Sequence, residues 1–203
     1  MQQLKLIRRY GFRGSVKLLA DILNTKLFFS PCRIIRRPYY IRGKQFIKFG
    51  KGFTSGVGAR LDAFTVNKGG ILIEFGENVQ INDYVHIAAV QSIKIGNNVL
   101  IASKVFITDH NHGYYNSTSQ THSHPSIPPV QRPLSQNPVI IEDNVWIGEF
   151  VSIMPGVCIK EGAIIGAMSV VTKTIPAYSI AVGSPAQVIK TFNFETGKWQ
   201  NID

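Results

Sequence analysis

The 203-residue sequence predicts an all-β fold: a left-handed parallel β-helix of hexapeptide repeats with an N-terminal helical segment, one long looped-out segment and a C-terminal cap. Three observations carry this. An aliphatic residue recurs every six positions from Ile141 through Ile147, Ile153, Ile159 and Ile165 to Val171. A small or β-branched residue stands four places after each inward residue, at Val145, Val151, Val157, Ala163 and Ser169. The same frame runs upstream as Phe75, Ile81 and Ile87, then as Ile95, Ile101 and Ile107, with Val79, Val85, Val99 and Val105 in the companion slot. A two-residue slip at Gln91 and Ser92 separates these two runs.

A period of six excludes an amphipathic helix, whose stripe recurs at 3.6, and a long strand, whose alternation runs without turns. Three hexads make one triangular coil, and stacked coils pair their strands in parallel about 4.8 Å apart. The aliphatic residue points into the prism and the small residue fits the corner. Gly76, Asn82, Gly96, Gly148 and Gly166 follow inward residues, where permissive backbones are expected for turning. This hexad is the pattern of the left-handed parallel β-helix, an exception to the right-handed crossover rule.

Along the chain, residues 1–45 read as a basic N-terminal segment. Leu4, Ile7, Leu18, Leu19, Ile22 and Leu23 lie among Lys and Arg with no proline before Pro31, which predicts one or two amphipathic helices. Residues 46–190 form the β-helix domain. Within it residues 110–138, rich in His, Ser, Thr, Pro and Gln, cannot continue the hexads and read as a loop, and loops of that length in compact domains are usually functional or disordered. Residues 191–203 form a C-terminal tail, where Phe192, Phe194 and Trp199 are expected to cover the last coil.

Composition narrows the function. Hydrophobic residues at 44% and charged residues at 17% describe a globular chain. No apolar run approaches a membrane span or a signal-peptide core, so a cytoplasmic address is expected. Cys32 and Cys158 lack any CxxC or zinc-finger spacing and are expected to be free thiols. The net charge of +10 is concentrated at the front: residues 1–60 hold fourteen Lys and Arg against one acid, Asp21, whereas residues 61–203 hold eight bases against eleven acids. Such asymmetry suits an electrostatic anchor. Peripheral contact of residues 1–30 with the anionic inner membrane and packing of the same helix on a neighbouring protomer are both open. Nucleic acid is not expected, since no recognised module accompanies the charge. Nucleotide-binding glycine motifs are absent, and Cys158 sits inside an unbroken hexad without a paired base.

The hexads, the segment Thr108-Asp109-His110-Asn111-His112, the stretch Asn144-Val145-Trp146-Ile147-Gly148, and Val171-Thr172-Lys173 followed by Gly183-Ser184-Pro185-Ala186 together resemble the hexapeptide-repeat acyltransferases. The chain is most similar, over roughly residues 50–190, to the O-acetyltransferases of lipopolysaccharide O-antigen and capsule synthesis, related to the galactoside and maltose acetyltransferases. The resemblance implies a homotrimer with active sites between neighbouring prisms, acetyl-CoA as co-substrate, a sugar or glycan acceptor, and one histidine as general base. A hydroxyl attacking a thioester must lose its proton, and an imidazole titrates near neutrality. In the family the base lies seven positions after the small corner residue, which from Val105 gives His112; His110 is the second choice. Asn82 matches an acceptor-contacting position, and Asp83 beside it offers a further acceptor for a hydroxyl. Trp146 matches a tryptophan at the acceptor and pantetheine site. Glu149, Ala167, Thr172, Lys173 and Lys190 match positions along the CoA groove, with Glu149 a departure where relatives often carry Ser.

No metal is expected. His86, His110, His112, His122 and His124 invite comparison with β-helix carbonic anhydrases, but His122 and His124 lack the coil-to-coil spacing that would gather three imidazoles. The alternative activity is N-acetylation of a nucleotide-linked amino sugar. A non-enzymatic β-helix scaffold would present flat rows of Thr or charge, which this sequence lacks.

Overall fold

A computed structural model describes residues 2–64, 69–115 and 122–202, with side chains from Tyr10 onward. The side chains of Leu4 and Ile7, and residues 116–121 altogether, lie outside what is described. Among the described residues six triangular coils stack from Ile34 to Ile175. The first face carries Ile34–Ile35, Thr54–Ser55, Gln80–Ile81, Leu100–Ile101, Trp146–Ile147 and Ile164–Ile165. On the second face lie Tyr39–Arg42, Ala59–Ala63, His86–Ala89, Phe106–Thr108, Ser152–Ile153 and Val170–Val171. Ile47–Lys48, Ile73–Phe75, Ile93–Ile95, Val139–Ile141 and Cys158–Ile159 make the third. All pairing between successive coils is parallel, with Ile81, Ile101, Ile147 and Ile165 in one register column.

The hexad frame accounts for the core. Ile87, Ile107, Ile153 and Val171 are buried in the second-face column, and Val79, Val85, Val99 and Val105 are buried in the corners. The coil begins at Ile34, ahead of residue 46, and Pro38 and irregular corners break the six-residue period in this first coil. The turning residues also differ from expectation. Left-handed backbone falls at Asn78, Tyr84, Asn98, Lys104, Asn144 and Phe150, immediately before each small corner residue. The glycines after the inward residues serve close approach instead: a Cβ at Gly76 would stand 2.6 Å from the Gly96 carbonyl, and one at Gly148 would stand 2.6 Å from the Ala167 nitrogen.

The two ends are closed differently. A helix, Gln2–Phe28, is broken at Gly11 by a backbone of φ 66° and ψ 175°. Its second half lies on the first coil, where the Ile35 N–H donates to Thr25 Oγ1 at 2.8 Å and the Arg37 Nε–H to buried Asp21 at 2.7 Å. Phe29 then meets Phe49, which stacks on Phe75 at 5.6 Å, so an aromatic plug fills the wide first coils. At the other end Ser179–Val182, Gln187–Asn193 and Lys198–Asn201 extend the first face as an antiparallel meander. Phe192 contacts Phe194 and Trp199 within that meander, and Phe194, 67% exposed, meets Tyr178 of the last corner at 4.8 Å, so the aromatics pack on one another and on that corner rather than on the buried core. Ala186 and Val188 are what lie against the core there.

Candidate active site

The edge between the second and third faces is where the hexad is interrupted. In the third coil it widens at Val90–Ser92, the two-residue slip of the sequence, and in the fourth it opens into residues 109–138. One side chain reconciles the two. Asp109, fully buried, accepts the N–H groups of Val90, Gln91 and Ser92 at 3.0, 2.8 and 2.8 Å. Its Oδ1 also accepts His110 Nδ1–H at 3.0 Å. Burial alone would raise the Asp109 carboxyl, but the bonds from His110 and the three backbone donors outweigh it and hold it below the usual carboxylate range.

The described parts of the long segment are anchored. Its stem is a short antiparallel pair, His110–His112 against Leu134–Gln136. Arg132 ties its interior by donating to the carbonyls of Ile127 and Pro125 at 2.7 and 2.9 Å and to the Tyr115 hydroxyl at 2.7 Å. This stem presents the two histidines side by side, ring centroids 6.5 Å apart. His112 Nδ1 lies 3.2 Å from the Pro129 carbonyl, which can only accept, so Nδ1 carries the hydrogen and neutral His112 keeps Nε2 as its basic nitrogen. His110 is fixed in the same tautomeric sense by Asp109.

Both histidines line a cavity of about 460 Å³ on the second face. Its walls also bring in Phe64, Phe106 and Met154, together with a polar cluster that sequence reasoning missed: Arg42, Arg60, Asp62 and His86. Asp62 points outward yet is only 2% exposed, because its neighbours roof it. Arg42 Nε–H donates to Oδ1 at 2.6 Å, while Arg60 Nε–H and His86 Nε2 approach Oδ2 at 2.8 and 3.1 Å. Desolvation would raise this carboxyl, but those three donors bring it down to about 2. Burial pushes the His86 imidazole down, with the Asp62 bond only partly opposing it. A second cavity, of about 500 Å³, lies on the third face among Glu74, Lys94, Glu142 and Asp143. Its acids are taken up by Lys48, Lys160 and the Asn97 N–H, and no candidate base is there.

The other sequence-predicted residues fall on two edges. Asn82, Ala102, Gly148 and Gly166 stand in one column of the first–second edge, each N–H bonded to the inward residue of the next coil. Beside it Asp83, Ser103 and Glu149 accept the N–H of Lys104, Phe150 and Met168 in turn. Ala167 ends that ladder: it is exposed, and among the described residues its carbonyl accepts nothing, which suits pairing with the amide of an extended polar chain. Asp83 Oδ1 is already engaged by the Val57 N–H at 2.8 Å and Asn82 Oδ1 by Gln80 at 3.0 Å, so both side chains also do corner work. Trp146 is 50% exposed on the first face, where the half-buried Lys190 also lies, paired with Ile180. Thr172 and Lys173, both exposed, continue the column of Thr108 and Met154 on the histidine edge, two coils above. The cavity thus gathers His110 and His112, while Asn82, Asp83, Trp146, Glu149, Ala167, Thr172, Lys173 and Lys190 do not line it.

Cys32 and Cys158 are both free, and burial pushes the Cys32 thiol up to about 12. Among the described residues no group of three His, Cys, Asp or Glu is placed to hold one metal ion.

A stacked hexad coil that throws out a histidine-bearing loop is the architecture of the hexapeptide-repeat transferases, and the family model for the bacterial transferase hexapeptide (six repeats) matches residues 138–173. The WbbJ protein of Escherichia coli (strain K12), named for O-acetyl transfer in lipopolysaccharide biosynthesis, is 51% identical over 197 residues, 97% of this chain and 98% of that one. Among solved structures, a maltose O-acetyltransferase from Clostridium difficile 630 is 34% identical with a TM-score of 0.57, covering 73% of this chain and 71% of that one. A galactoside acetyltransferase in complex with coenzyme A is 30% identical with a TM-score of 0.51, over 70% and 67% of the two chains. The chain belongs to the hexapeptide-repeat acetyltransferases, and its coil is the left-handed β-helix of that family.

Proposed function

We propose that this enzyme transfers acetyl from acetyl-CoA to a sugar hydroxyl of a bacterial surface polysaccharide, O-antigen or capsule, or of its precursor, with His112 as general base. The observation that carries the reading is the tautomer: the Pro129 carbonyl fixes Nδ1–H on His112 and leaves Nε2 basic at a cavity large enough for a sugar. The acceptor oxygen attacks the thioester carbon as its proton passes to Nε2. A backbone N–H stabilises the oxyanion, and collapse expels the CoA sulfur, which takes the proton back. Asn82, Asp83 and Trp146 are assigned to the acceptor, with Trp146 also along the pantetheine. Glu149, Ala167, Thr172, Lys173 and Lys190 are assigned to CoA.

These assignments need more than one chain. The histidines lie on one edge of the prism, and Asn82, Asp83, Glu149 and Ala167 on another. One edge of a copy set against the other edge of its neighbour is a heterologous contact, and three such contacts close a triangular ring. A homotrimer with composite sites is therefore part of the proposal. Replacing His112 by Ala in a protein that keeps its fold and assembly is expected to lower turnover by about 10²–10⁴-fold. Full turnover in that variant, or loss confined to His110→Ala, overturns the assignment of the base. Release of thiol against a panel of hydroxyl and amino sugars separates O-acetyl from N-acetyl transfer.

The enzyme is further proposed to work in the cytoplasm at the inner membrane. Val16, Leu19, Leu23 and Leu27 form an exposed stripe on the N-terminal helix, flanked by Arg13, Lys17 and Lys26. Among the described residues no helix is long and apolar enough to cross a membrane. A basic helix with an apolar stripe can lie in an anionic interface. Co-sedimentation with anionic liposomes is expected to be lost on deleting residues 1–30. Unchanged co-sedimentation removes the membrane contact and favours packing on a neighbouring protomer.

A further inference from the structure

The cavity that holds the two histidines has a second polar end, which the acetyl-transfer reading leaves without a task. We propose that Arg42 and Arg60, oriented by the buried carboxylate of Asp62, form an anion subsite that receives a phosphate ester of the acceptor, a diphosphate on the anomeric carbon of the sugar to be acetylated. The inference rests on the acetyl-transfer reading for the identity of the cavity.

The cluster is built for a ligand in three respects. Each guanidinium spends its Nε–H on Asp62, and among the described residues neither has a hydrogen bond from its Nη groups, although both side chains line the cavity. Two forks whose inner donors are pinned present their outer donors in fixed directions, which matches the bidentate geometry a phosphate accepts. Aromatic faces hold the planes as well: the Arg42 guanidinium lies 4.4 Å from the Phe64 ring centre and 5.3 Å from Tyr40, with Arg60 5.8 Å from the same tyrosine. The charge is also right. Two guanidinium groups face one carboxylate, and His86 carries no negative charge in either protonation state, so the cluster is a net cation.

Position selects the acceptor over acetyl-CoA as the source of the anion. Arg42 stands in the first coil, Arg60 in the second, His86 in the third, and the histidine pair leaves the fourth. At about 4.8 Å per coil the Arg60 level lies roughly 10 Å from the base. That is the reach of one sugar ring with a phosphate on its anomeric carbon. Thr172 and Lys173 lie on the same edge but two coils on the opposite side of the histidines, and Ala167 ends its ladder at that same C-terminal level. Phe64 and Phe106 line the interval between arginines and base, where a sugar ring would lie.

The test uses the full chain and inorganic pyrophosphate as probe, read by calorimetry. The wild type is expected to bind it without competition from acetyl-CoA, and Arg60→Gln and Arg42→Gln are expected to weaken it at least tenfold while acetyl-CoA binding holds. Because either variant leaves Asp62 under-paired, Arg60→Gln combined with Asp62→Asn supplies a charge-balanced form, and it too is expected to lose the probe. No binding by the wild type, retained binding in the variants, or displacement by acetyl-CoA overturns the proposal. These readouts do not depend on turnover, so failure of the acetyl-transfer reading would show separately, as a protein that binds pyrophosphate yet acetylates no sugar. With active enzyme, the KM for a sugar 1-phosphate is expected to rise at least tenfold in Arg60→Gln, while that for the uncharged methyl glycoside does not move. Equal effects on both acceptors refute it. Competition by UDP or by an isoprenoid diphosphate in detergent then distinguishes a nucleotide-linked from a lipid-linked acceptor.

Discussion

Replacing Asp109 by Ala tests whether one buried carboxylate holds the interrupted edge together. The change removes the acceptor for the N–H groups of Val90, Gln91 and Ser92 and for His110 Nδ1. The Gln91 residue is exposed and its N–H can turn to water, whereas Val90 is buried and Ser92 half-buried. At about 1–3 kcal/mol for each buried donor left unmade, two backbone donors and the imidazole together put the loss near 3–5 kcal/mol, allowing for relaxation. That is a large share of the 5–15 kcal/mol typical of a domain. Urea unfolding of wild type and variant at pH 7 measures it, and proteolysis within 113–133 reports whether the stem has frayed. Asp109→Asn keeps the shape and one acceptor and is expected to lose less. A loss under about 1 kcal/mol for Asp109→Ala, with the loop as resistant as before, would refute the view that Asp109 organises the edge.

Three further outcomes follow from the coil. Ile147→Ala empties a fully buried position in the first-face column and is expected to cost about 2–5 kcal/mol in thermal or urea unfolding. Gly76→Ala drives a methyl into the Gly96 carbonyl, where neither backbone can retreat without opening the ladder, and is expected to cost about 1–3 kcal/mol; an unchanged midpoint would show that the coils can separate. Acid should weaken the second face. Asp62 titrates near 2 when folded and near 3.8 when unfolded, so its stabilisation, roughly 2 kcal/mol, is present above pH 4 and is lost as pH falls toward 2. The His86 imidazole is pushed below its ordinary value, so folding also loses ground below about pH 6.5, and Asp62→Asn should flatten the lower limb while deepening the upper one, because it removes the charge that opposes burial at His86.

The fold was legible because the inward position of each hexad is a local demand. Every coil needs one aliphatic side chain per face and one small residue per corner, so Ile141 to Val171 declare the prism without reference to any distant residue. The histidine pair was legible for a similar reason, since residues 110–138 fail the hexad and the loop announces itself. The C-terminal aromatics depart from expectation because a tally of hydrophobic residues does not say whether a strand folds over the end of the prism or extends its face; the paired strands that carry Phe192 and Trp199 do the latter.

What only the tertiary structure decided lies on the outside of the coil. Arg42 meets Asp62 across 20 positions and Asp62 meets His86 across 24, while Phe106 meets Ser152 across 46. None of these is the 18 of an uninterrupted coil, because each is set by how many residues the intervening corners add. Asp109 likewise finds Val90, Gln91 and Ser92 only because the wide corner of one coil lies under the loop exit of the next. Inward residues are fixed by a period written in the sequence. Outward residues become neighbours through the lengths of corners that carry no period, so the charge cluster, the buried anchor of His110 and the separation of the predicted site over two edges appear only once the coils are stacked.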